Sequence, residues 1–109
     1  MILFALLSAV AGPDPFLRSS GQSYQICVET QAKRLSKSRE TAPVVADAAI
    51  EACRSAREKV EVAIAAHSIV EHPEWSANYT KEVMEVALAK IDERVRTRAI
   101  FVITDARSK

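Results

Sequence analysis

From Gln22 onward, apolar residues recur at spacings of three and four along nearly the whole chain, which is the period of α-helices buried on one side. Tyr24, Cys27, Val28, Gln31 and Leu35 form a first stripe, with Glu29, Lys33, Arg34 and Lys37 on the opposite side. They predict a helix over about 22–37. The stripe fades at "SKSRET", where Ser36, Ser38 and Thr41 offer turn hydroxyls. Pro43 then falls in the first turn of a second helix, where a missing N–H is tolerated, with Thr41 placed to cap it.

The second stripe is the longest. Val45, Ala49, Ala52, Ala56, Val60, Ala63, His67 and Val70 define it, and Ala46, Ile50, Cys53 and Ile64 widen it, so one helix is expected over about 42–71. Pro73 disfavours helical geometry at His72, and Ser76 or Asn78 offers a cap for a restart. A third helix is expected over about 76–106, with Met84, Leu88, Ile91, Val95, Ala99 and Val102 as its core stripe. Its "AIFVIT" segment, Ala99 to Thr104, is apolar on nearly every side. Those residues also favour strands, but no second strand is in view to pair with them, so the segment is assigned to the helix. The predicted fold is all-α: an antiparallel helical hairpin with a longer third helix along it, a small three-helix bundle in residues 22–109.

The hairpin gives the two cysteines a reason. With the turn near Glu40, Cys27 and Cys53 are equidistant from it and sit at the same height, about 20 Å along each helix at ~1.5 Å per residue. Both lie on or beside the apolar stripe of their helix, so height and face agree, and a Cys27–Cys53 disulfide is predicted. Closing that loop stabilises a small domain by about 3–4 kcal/mol in the chain-entropy model. Charge favours the same neighbours: Tyr24–Glu40 carries four basic and two acidic residues, Ala42–His72 three basic and five acidic. The Tyr-x-x-Cys of Tyr24–Cys27, the serine-rich turn and "VADAAIEAC" together resemble a group of short exported bacterial helical proteins of uncharacterised function. The resemblance spans Tyr24 to Cys53 and implies a disulfide-linked helical domain in a cell envelope, with no activity or site to carry over.

Composition fits one small domain. Of 109 residues, 49% are hydrophobic and 27% charged, with two glycines and a net charge of +1, so nothing pulls the chain toward nucleic acid or an anionic membrane. The opening "MILFALLSAVAG" is uncharged and too short to span a bilayer. Ala9-Val10-Ala11 fits a small-x-small cleavage site, although no Lys or Arg precedes the apolar run. Residues 1–11 are therefore expected to be a cleavable signal peptide and 12–21, with two prolines and a serine pair, a linker. Export to a periplasmic or secreted setting is the compartment in which a disulfide forms.

Candidate chemistry is sparse. No nucleophile elbow, His-Glu-x-x-His, phosphate loop or Cys-x-x-Cys is present, so neither enzymatic activity nor a cofactor is expected. His67, Glu71 and His72, with Glu74 just beyond, form the one corner that could hold a metal or small ligand, flanked by Trp75 and Tyr79. "ERVRTR" places Arg94 and Arg98 on one helix face but Arg96 nearly opposite, beside Asp92 and Glu93, which is a solvated face rather than a phosphate-binding one. The leading expectation is a non-enzymatic interaction module that binds a protein partner or itself through Leu88, Ile91, Val95, Ile100, Phe101, Val102 and Ile103. A small-ligand module at the histidine corner and an amphipathic membrane-surface protein are the alternatives.

Overall fold

A computed structural model of the chain describes residues 15–109, which form four α-helices and, among the described residues, no strand. These are α1 (Pro15–Leu35), α2 (Ala42–Ala52), α3 (Arg54–Glu71) and α4 (Ala77–Arg107). Helices α1 and α4 each pack against the other three. The expected signal segment and the first residues of the expected linker lie outside the described residues.

Helix α1 begins at Pro15, so the part of the expected linker from Pro15 to Gly21 is helical instead. The proline and the serine pair do not break this helix: Pro15 stands at the N-terminal end of its described part, where a missing N–H is tolerated. Ser20 is buried and continues the spine of Tyr24, Val28 and Ala32 at a spacing of four. Gln31 and Leu35, expected on the stripe, are only half-buried.

The long second helix is two helices. At Cys53 the backbone leaves helical geometry (φ −105°, ψ 24°) and its N–H donates to the Ile50 carbonyl at 3.0 Å, three residues back instead of four. The ladder resumes at once, with Arg57 N–H donating to the Cys53 carbonyl at 3.0 Å. No proline or glycine causes this break. It coincides with the residue of the segment that is covalently bonded to another helix, because Cys53 forms the predicted disulfide with Cys27, with Cα atoms 6.0 Å apart. Ala52 and Val70, assigned to the core stripe, are exposed.

Helix α4 starts where a cap was available: the Ser76 hydroxyl accepts a hydrogen bond from the Tyr79 N–H at 3.1 Å. Thr41 precedes α2 in an extended conformation but makes no side-chain cap bond. Helix α4 continues through Ala99–Thr104, so the apolar run is helical. The core gathers Tyr24, Val28 and Ala32 with Val45, Ala46, Ala49, Cys53, Val60 and Ile64, closed by Leu88, Val95, Ala99, Val102 and Ile103 of α4.

The far end of α4 fastens the first turn. Arg107 Nε donates to the Ser36 carbonyl at 2.9 Å, and its Nη2 to the Ser38 and Glu40 carbonyls, each at 2.7 Å. Carbonyls at and beyond a helix C-terminus lack intrahelical partners, and here a cation from another helix supplies them.

Candidate functional site

The surface expected on the third helix is not a surface. Leu88, Val95, Val102 and Ile103 are buried in the core, and Ile91 and Ile100 pack half-buried against it. Of the seven residues only Phe101 is exposed, at 60%. The expectation assumed a first helix too short to cover α4. With α1 reaching back to Pro15, and with α2 and α3 both against α4, the apolar face is covered from within.

The histidine corner does not assemble a metal centre. Among the described residues, no three His, Cys, Asp or Glu side chains converge to hold an ion. His72 Nδ1 lies 3.2 Å from Glu74 Oε2, and its ring stacks on Trp75 with centroids 3.8 Å apart and planes 6° from parallel. Tyr79 meets the other side of Trp75 edge-on at 4.9 Å. Glu71 is exposed. A hydrogen bond from its own backbone, and then one from His72, hold the Glu74 carboxyl below the usual carboxylate range. His72, Glu74, Trp75 and Tyr79 are thus engaged with one another, and His67 and Glu71 do not join them.

What the corner does build is a cleft of about 470 Å³ between α1, α3 and α4. Its apolar bed is Leu17, Ile64, Val83, Ala87, Ile91 and Val95, and its polar rim is Arg18, Gln22, Gln25, His67, His72 and Arg94, with Trp75 alongside. A pocket of this size, apolar with a few polar groups at its edge, is the usual form of a small-molecule site. Gly21 also lines it. A Cβ placed on Gly21 would meet nothing within 4 Å, and the residue lies inside a helix with ordinary negative φ, so neither packing nor backbone geometry requires glycine there. Glycine in a helix interior costs about 0.5–1 kcal/mol relative to alanine. What it provides here is room.

On the other side of α4 runs a different groove, about 670 Å³, between that helix and α2–α3. Six carboxylates line it (Asp47, Glu51, Glu58, Glu61, Asp92, Glu93) with three arginines (Arg54, Arg57, Arg96). Each arginine has an acidic partner: Arg96 with Asp47 at 2.8 Å, Arg54 with Glu51, and Arg57 with Asp92 at 2.8 Å and Glu61 at 3.3 Å. At the inner edge, the fully buried Tyr24 donates its hydroxyl hydrogen to Asp92 Oδ1 at 2.8 Å. Arg57 Nε donates to both Asp92 oxygens at 3.1 Å. Burial, and then the bond to Asp92, push the Tyr24 pKa well above the ordinary 10.0, so the phenol stays neutral. The bond to Asp92 likewise raises the Arg57 pKa. This triad joins α1, α3 and α4.

The arginines of "ERVRTR" diverge as the helical spacing required. Arg96 turns to Asp47, Arg98 lies 3.4 Å from Glu29 and over the Phe101 ring at 5.3 Å, and Arg94 reaches the cleft. Sequence reasoning found the His67–Trp75 wall of that cleft and missed the α1 wall, Leu17 to Gln25. The signal was present: Leu17 and Ser20 extend the Tyr24 stripe backward at helical spacing, across residues assigned to a linker. No protein-family profile matches the chain, and neither a curated protein nor a solved structure is significantly similar to it.

Proposed function

We propose that this protein is a non-catalytic, exported helical binding module that takes a small apolar-bodied ligand into the α1–α3–α4 cleft. The observation that carries the reading is Gly21: a helix-interior glycine that the fold does not demand, bordering a 470 Å³ cleft with an apolar bed. The export half of the reading is supported by the disulfide, which persists in oxidising compartments. In line with it, no described helix is long and apolar enough to cross a membrane. The absence of any site for chemistry in the sequence, together with the pairing of every groove arginine to a carboxylate, supports binding rather than turnover.

The test uses an uncharged fluorescent probe, N-phenyl-1-naphthylamine. Wild-type protein is expected to bind it saturably, and Gly21→Leu, which fills the cleft, to abolish binding while keeping the helical circular-dichroism spectrum. Equal binding by the two proteins would place the probe elsewhere and sink the reading. For the export half, the intact mass of the chain from its native host, before and after reduction, is expected to show a shortened N-terminus and one disulfide.

A further inference from the structure

We infer that the ligand of this cleft is an amphipathic monoanion, a free carboxylate or sulfonate on a compact hydrocarbon body; this deepens the binding reading proposed above and rests on it. The chain as a whole is nearly balanced, with 15 Lys and Arg against 14 Asp and Glu. The two sides of α4 divide that balance unequally. Six carboxylates line the α2–α3 groove, and among the described residues none lines the cleft. The charged or chargeable groups among the described residues that reach the cleft are Arg18, Arg94, His67 and His72, and its remaining polar side chains include the amide donor Gln22. Two acids outside the lining contact its residues: Glu74 lies 3.2 Å from His72, and Glu29 accepts from Gln25 at 2.9 Å.

Arg94 decides the sign. Arg96 and Arg98, its neighbours on α4, are each tied to an acid, Asp47 and Glu29, whereas Arg94 forms no ion pair among the described residues. A guanidinium is always protonated, and its planar fork of donors matches a carboxylate or sulfonate. Beside it on α4, Ile91 and Val95 belong to the apolar bed. A ligand lying along that bed with its acidic end at Arg94 therefore satisfies both halves of the site. A cationic amphiphile would meet like charge, and a neutral one would leave the arginine without a partner.

Trp75 is the only tryptophan and lines the cleft, so its emission reads occupancy directly. The full chain is titrated with decanoate, 1-decanol and decyltrimethylammonium below their aggregation limits, and with vesicles containing phosphatidylglycerol. Decanoate is expected to shift Trp75 emission saturably and to bind at least about tenfold more tightly than decanol, with no saturable response to the cation or the vesicles. Arg94→Gln is expected to bring decanoate down to the level of decanol while leaving decanol unchanged. Gly21→Leu is expected to abolish both. Equal binding of decanoate and decanol, with no effect of Arg94→Gln, overturns the anion assignment and leaves the cleft reading standing. A vesicle response as large as that of decanoate overturns the assignment to a free ligand. Failure of all three amphiphiles to move Trp75 emission, alongside failure of the naphthylamine probe, overturns both readings together.

Discussion

The two hollows beside α4 both hold arginines and differ in what those arginines face: carboxylates line the groove, and an apolar bed lines the cleft. In the α2–α3 groove, arginines and carboxylates face one another across helices, as Arg57 does Asp92 and Arg96 does Asp47. In the cleft on the other side, Arg94 and Gln22 border open space above an apolar bed. The groove is thus a polar seam that orients helices, and the cleft is a place left unfilled. Substitutions in the first should change stability and spare ligand binding. Substitutions in the second should weaken ligand binding without loss of stability.

The largest expected effect supports both sides at once. Cys27→Ala with Cys53→Ala removes a cross-link spanning 26 residues and should cost about 3–4 kcal/mol, read as a lower denaturant midpoint. Asp92→Ala comes next. It leaves the buried Tyr24 hydroxyl and the Arg57 guanidinium without their acceptor and should cost about 2–3 kcal/mol. Naphthylamine affinity in that variant should be unchanged at temperatures where it is folded; a parallel loss of binding would erase the distinction between the two hollows. Gly21→Ala tests the distinction from the other side, with an expected gain of about 0.5–1 kcal/mol in thermal or denaturant melts together with weaker probe binding. Arg96→Ala, an exposed pair at the groove's rim, should change stability by no more than about 0.5 kcal/mol.

The seam also carries a pH signature. Because the folded Tyr24 pKa is raised above the ordinary 10.0, its contribution is fully present below that pH and is lost as pH rises beyond it. Alkaline melts of the wild type should therefore fall off above pH 10 more steeply than those of Tyr24→Phe. Equal slopes would mean that the phenol is not held as the geometry requires.

Most of the helical content was legible because residues 42–71 and α4 keep an apolar period over many turns and are divided at recognisable punctuation, Pro73 and the Ser76 cap; the break at Cys53 was not, because no proline or glycine marks it. The disulfide was legible because two independent measures, height and face, agreed. The start of α1 was obscured by residues that break helices in most settings but not at a first turn. The expected partner surface failed for a related reason. Whether an apolar stripe such as Val95–Ile103 is covered depends on the length of every other helix, and α1 had been drawn too short. The Tyr24–Arg57–Asp92 triad draws one residue from each of three helices, and no spacing within a single helix announces it. The cleft was half-visible for the same reason: one wall follows from local sequence around His67, while the other comes from a segment far away along the chain.

The grip of Arg107 on Ser36, Ser38 and Glu40 has a consequence in time. During synthesis, the first hairpin can form and its cysteines can pair long before residue 107 exists. Until that residue arrives, the carbonyls of the first turn depend on water, Tyr24 lacks Asp92 and the apolar face destined for α4 stands open. The disulfide can therefore record the hairpin's register early, while completion of the fold waits for the far end of the last helix. A nascent chain paused before α4 would be covalently committed yet still adhesive, a state that holding chaperones recognise.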